Sequence, residues 1–202
     1  MPKTATALLL AAALALPGVT ARALDLNPFS AIKGAVEAAV EDRSSADIAK
    51  DLEIKARITA DVVDKLGRQA ISLSADVYEQ DVMLTGAVDK AEVKKQAESL
   101  ARAIKDVKKV HNEIIVVRDI DRKKGAVEGF VDDSVIEGKI NALLLDAKGV
   151  NVTNFRWRSV GGRVFLFGRA LTKEELDKAI GVVRGIKGVA AVTSRVKIRP
   201  KG

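Results

Sequence analysis

The sequence predicts an α+β fold made twice, each copy running helix, strand, strand, helix, strand. Three observations predict it. Shifted against itself by 82 residues without a gap, the chain sets Ile54, Ile58 and Val62 on Ile136, Ile140 and Leu144, and Val82, Leu84 and Gly86 on Val164, Leu166 and Gly168. Ala97, Ile104, Val107, Val110, Ile114 and Val116 fall on Ala179, Ile186, Val189, Val192, Val196 and Ile198. The matched positions are apolar, three or four apart in some stretches and two apart in others, the periods of a helix face and of a strand face.

Each element follows from local pattern. Ile48, Leu52, Ile58, Val62 and Leu66 carry a helical period, and Ile71, Leu73, Ala75 and Val77 then alternate with polar residues as a strand does. A short turn leads to the second strand at Val82, Leu84 and Gly86. Asp89 with Glu92, and Thr172 with Glu175, have the spacing of capping boxes that open the second helix of each copy. An alternating strand closes each copy, at about 110–117 and 192–199. Strand, helix, strand in this order implies a parallel crossover, hence a three-stranded mixed sheet with both helices on one face.

Composition sets the setting. The 202 residues are 48% hydrophobic and 30% charged, enough for two small cores. Lys3, an apolar run from Ala5 to Leu16, the Pro17-Gly18 break and Ala21-Arg22-Ala23 read as a secretory signal peptide over 1–23, with the exported protein beginning at Leu24. There is no cysteine, so the domains must hold by packing, and no later stretch approaches the roughly 18 apolar residues of a spanning helix. Residues 24–44 form an N-terminal amphipathic segment, with Phe29, Ile32, Val36, Ala39 and Val40 on one side, to pack on the first copy or to meet a membrane or partner. The charged stretch 118–131 is a linker between copies at 45–117 and 132–199.

An early Asp and an Ile-rich helix, then V-x-L-x-G-x-V, an Ala-rich helix and a closing strand led by Gly-Val, together resemble the BON domain, named for bacterial osmotic-stress and nodulation proteins. The residues that carry the resemblance are Val82, Leu84, Gly86 and Val88, again Val164, Leu166 and Gly168, and the Lys187-Gly188-Val189 turn. Two such domains behind a signal peptide are similar to the periplasmic two-BON proteins of Gram-negative bacteria. That resemblance implies a role in outer-membrane integrity and binding of anionic phospholipid through the first helix of the second domain. Here that helix would present Val135, Gly138, Lys139 and Ala142, with Lys148 beside it. Val135 stands where the resemblance would place an aromatic residue.

Charge points elsewhere. Residues 51–117 hold 11 Lys/Arg against 12 Asp/Glu, and 133–199 hold 13 against 6. If Phe155, Trp157, Val164, Leu166, Val192, Val196 and Ile198 face the helices, the other sheet face shows Arg156, Arg158, Arg163, Phe165, Phe167, Arg169, Arg195, Lys197 and Arg199. The same face of the first copy shows Ser74, Asp76, Asp81, Met83, Thr85, Glu113, Ile115 and Val117. Either the two sheets dock, acid on base, or Arg156, Arg158, Arg195 and Lys197 stay open as an anionic-lipid surface.

His111 is the sole histidine and has no cysteine or second histidine with which to hold a metal, so no metal site, cofactor or triad is expected. Gly86 and Gly168 sit in strands without a phosphate-loop context and mark sheet bends. These observations lead to a non-enzymatic periplasmic protein that meets the anionic phospholipid surface peripherally and does not bind nucleic acid. The alternative is a protein-binding, chaperone-like stress adaptor whose partner is another envelope protein.

Overall fold

The computed structural model describes residues 42–117 and 132–199. The expected signal peptide, the linker 118–131 and most of the segment 24–44 lie outside the described residues. Domain 1 runs α1 (Ser45–Leu66), β1 (Ser74–Tyr78), β2 (Asp81–Thr85), β3 (Ala87–Val88), α2 (Ala91–Ala103), β4 (Lys109–Asn112) and β5 (Ile115–Val116). Domain 2 runs α3 (Asp133–Asp146), β6 (Phe155–Val160), β7 (Arg163–Ala170), α4 (Lys173–Arg184) and β8 (Ala191–Ile198). The fold is α+β, with four helices among the described residues.

The two main sheets have the same topology. β1 pairs antiparallel with β2 and β2 parallel with β4, as β6 pairs antiparallel with β7 and β7 parallel with β8. Period-2 alternation sends Val77, Val82, Leu84 and Val110 under α1 and α2, where they meet Ile54, Ile58, Val62 and Ala97. In domain 2, Phe155, Trp157, Val164 and Leu166 meet Ile136, Ile140, Leu144 and Ala179 in the same way. Each domain therefore has its own core between helices and sheet.

The first helix of each domain supplies the carboxylate that fixes its hairpin. Asp51 accepts from the backbone N–H of Glu79 and Gln80 at 2.7 and 2.8 Å, and Asp133 accepts from those of Gly161 and Gly162 at 2.7 and 3.0 Å. Both turns need positive φ at two successive residues; domain 2 uses glycines, whereas domain 1 holds Glu79 at 51° and Gln80 at 64°. This is the use the fold makes of the early Asp in the pattern.

Gly86 and Gly168 mark bends for a steric reason. Their φ values are 119° and 112°, and a Cβ would lie 2.0 Å from the carbonyl oxygen of Ser72 or 2.1 Å from that of Asn154.

Four expectations are corrected. Ile71 lies outside β1 and is 87% exposed, because a 3-10 turn, Gly67–Ala70, follows α1 and delays the strand to Ser74. Leu52 also faces outward on α1. The closing strand of domain 1 is interrupted at Glu113-Ile114, where the Asn112 side chain accepts from the Ile114 N–H at 3.3 Å, although Ile115 and Val117 go on donating to Gly86 and Val88. α2 is capped at Lys90 with no side-chain bond, so Asp89 and Glu92 are not its capping box, whereas Thr172 accepts from the Glu175 N–H at 3.1 Å. The Glu175 carboxylate reaches past the cap to the N–H groups of Leu171 and Asn151, tying α4 to the loop before β6.

Candidate functional site

The sheet faces turned away from the helices meet each other. Tyr78 and Met83 of domain 1 and Phe165 and Phe167 of domain 2 form a buried cluster, with Ile115 and Val160 packed against it. This is the docked arrangement of the two that alternation left open, and docking of sheet faces fits their complementary charge.

Ion pairs ring the apolar cluster. Arg158 donates to Asp76 through Nε at 2.9 Å and Nη2 at 3.2 Å, while Lys55 Nζ lies 3.5 Å from the same carboxylate. Burial alone would push the Asp76 carboxyl up, but the charges of Arg158 and Lys55 and the Arg158 hydrogen bond hold it below its ordinary range. Arg195 Nε donates to Glu113 at 2.6 Å, Lys197 pairs with the buried Asp81, and Arg199 Nη1 lies 2.8 Å from Glu79. Arg156 donates to the carbonyls of Thr153 and Phe155 and reaches the Tyr78 ring at 5.5 Å. Asp76 with Arg158, and Glu113 with Arg195, are each 82 apart, so two positions pair with their own repeat equivalents. That is the mark of a contact arranged about an approximate two-fold axis.

The expected residues thus divide. Arg156, Arg158, Arg195 and Lys197 lie on the sheet face against domain 1; an open basic sheet face is not what the structure has, because the acids of domain 1 cover it. Val135, Gly138, Lys139, Ala142 and Lys148 are all exposed, the first four on the outer face of α3. Val135 and Leu143, each 46% exposed, flank Lys139 in one row at i, i+4 and i+8, whereas Leu145, 63% exposed, lies on another side of the helix. The buried positions of α3 are Ile136, Ile140 and Leu144; of its three acids, Asp133 and Glu137 turn to the backbone of Ser159, Gly161 and Gly162, and Asp146 is exposed.

Sequence reasoning missed a polar knot at one end of the interface. Arg43 pairs with Asp51 and lies over the Tyr78 ring at 3.8 Å. The side-chain amides of Asn151 and Asn154 donate to Asp42, and Arg169 donates to the Asp42 carbonyl at 3.2 Å. The residues just before α1 therefore touch both domains. Charge and spacing alone carried no sign of it, since these partners lie more than 100 residues apart.

His111 belongs to the same interface. Its ring meets that of Phe167 edge-on at 6.0 Å, and Nε2 is buried without a hydrogen-bond partner among the described residues. Burial lowers its pKa from the ordinary 6.5, as do Lys109 and Arg195, against the opposing pull of Asp81 and Glu113. A depressed folded pKa means the contribution is whole above 6.5 and is lost as pH falls through that value toward the folded one. Urea midpoints at pH 7.5 and 5.5 should therefore converge in His111→Gln relative to the parent; an unchanged difference would remove His111 from the acid response.

Both domains match the family model for the BON domain, over residues 50–118 and 132–200. The chain belongs to the BON-domain family. Osmotically-inducible protein Y of Escherichia coli (strain K12) is 25% identical over 149 residues, covering 74% of this BON chain and 73% of that protein. An uncharacterized protein in the gshII 5' region of Anaplasma centrale is 36% identical over 129 residues, 63% of this chain and 82% of its own. Among solved structures, CdsD, a structural protein of the type III secretion system of Chlamydia trachomatis, aligns with a TM-score of 0.31 at 11% identity, covering 73% of this chain and 93% of the other. Among the described residues of the BON domains, no group of three His, Cys, Asp or Glu could hold a metal ion, and no helix is long and apolar enough to cross a membrane.

Proposed function

We propose that this two-BON chain is a non-enzymatic periplasmic protein of the osmotic-stress kind that supports the cell envelope by resting on anionic phospholipid through the outer face of α3. One observation carries the choice of surface: docking takes up most of the basic sheet face, while Val135 and Leu143 remain exposed on α3 with Lys139 between them. An apolar strip with a cation beside it suits the boundary between headgroups and acyl chains. The relationship to an osmotically inducible protein supports the physiological setting. Arg156, Arg158 and Lys197 are partly buried against domain 1, and Arg195, though exposed, is paired with Glu113.

Co-sedimentation with vesicles of phosphatidylglycerol and phosphatidylethanolamine tests this. Lys139→Glu should weaken binding by about 1 kcal/mol, roughly fivefold, through lost attraction and new repulsion, and added salt should weaken the parent likewise. Binding that ignores Lys139→Glu, Lys148→Glu and salt would transfer the α3 face to the adaptor reading, in which an envelope protein covers it.

A further inference from the structure

The two domains share a backbone but not a filling. Where domain 2 buries Phe155 and Trp157 beneath α3, the equivalent residues of domain 1 are Leu73 and Ala75, both only partly buried; Val62 stands for Leu144 and Ala70 for Val152. Every one of these exchanges is toward the smaller side chain. The result is a cavity of about 40 Å³ between α1 and β1, reaching Ile58, Leu84 and Ala97 at its floor.

We propose that this cavity in domain 1 is a binding slot for the end of a single uncharged aliphatic chain. None of its lining residues carries a charge, the Thr59 hydroxyl is already spent on the Lys55 carbonyl at 2.8 Å, and Ser74 brings the other side-chain hydroxyl of the lining, so an occupant is recognised mainly by apolar contact. The sister domain shows what the space accepts, since it fills it with side-chain hydrocarbon from its own strand. A water needs roughly 10–15 Å³ by the same measure, so the slot has room for a few carbon atoms. It opens to solvent: Val63 in its wall is 43% exposed, and Ile71, next to Ala70, is 87% exposed, which gives the rest of a chain an apolar ledge. This site is separate from α3 and does not rest on it.

Titration of the full chain with 1-octanol, followed by methyl NMR, tests the slot without any membrane or charged headgroup. Ile58, Val62, Leu73 and Leu84 should shift saturably, and Ile136, Ile140 and Leu144 should not. Ala75→Trp, which installs the residue of the sister domain, should abolish the shifts. If that variant fails to fold, Val62→Leu with Ala70→Val, again the residues of the sister domain, should weaken octanol binding at least tenfold. Lys139→Glu should leave it unchanged, which separates this site from the α3 surface. Shifts that do not saturate, that centre on α3, or that survive the filling variants would overturn the proposal and reduce the cavity to a packing gap.

Discussion

Asp76→Ala should cost the chain about 1–3 kcal/mol, because it removes the buried acceptor of both arms of the half-buried Arg158 guanidinium. Asp76 is buried, and its carboxylate accepts both arms of the Arg158 guanidinium with Lys55 at its side. Removing the acid takes away the two hydrogen bonds of the Arg158 guanidinium and leaves the more distant Glu137, 3.9 Å away, beside it. The loss should be read as parting of the domains rather than unfolding of either one, so urea unfolding should separate into two steps. Asp76→Arg combined with Arg158→Asp, with the neighbouring charges also exchanged by Lys55→Glu and Glu137→Lys, should recover much of the loss, since the exchanged sites are equivalent positions in the repeat. A single-step unfolding within half a kcal/mol of the parent would show that the sheets do not depend on this pair. The sign with pH follows from the depressed folded pKa: the contribution is present above the ordinary carboxyl value of 3.8 and fades as pH falls below it.

Leu166→Ala should cost about 4 kcal/mol, within the roughly 2–5 kcal/mol seen for leucine removed from a closed core. Leu166 is fully buried at the centre of β7, between Trp157 on β6 and Ser194 on β8 in the ladder, and it packs with Ile136, Ile140 and Ala179 under the helices. No side chain nearby is free to fill the gap, because the neighbouring strands hold their register through hydrogen bonds on both sides. Thermal or urea unfolding measures it. A loss below about half a kcal/mol would reverse the assignment of inner and outer sheet faces, and with it the charge map of the interface.

Much of this fold was legible because period and repeat are local properties. The 82-residue offset placed Gly86 on Gly168, and alternation assigned Phe155, Trp157 and Leu166 inward and Phe165 and Phe167 outward, all as the structure has them. The start of β1 was not legible, since Ile71 continues the alternation while the backbone is still turning out of the 3-10 segment Gly67–Ala70. Nor was the break at Glu113-Ile114, which depends on the Asn112 side chain bonding its own backbone. At the candidate site the sequence supplied both faces and their charges, but not whether they cover one another, because that depends on shape and on partners far apart in the chain. Asp42 with Asn151 and Asn154 is the clearest case. The size exchanges behind the domain 1 cavity, Ala75 for Trp157 above all, were present in the repeat alignment and acquire meaning only once the two side chains are known to occupy the same place.

The two self-equivalent ion pairs have a consequence for assembly. Were two first domains to meet about the same axis, Asp76 would face Asp76 and Glu113 would face Glu113; two second domains would set arginine against arginine at both places. Like charges at close range suppress such encounters. The interface therefore accepts only unlike halves, and neither half could have stood in a symmetric dimer with the charges it now carries. Division of charge between the copies belongs to the joined chain, and it works as a pairing code: at high concentration, a first domain released from its own partner can find rest only on the second domain of another molecule.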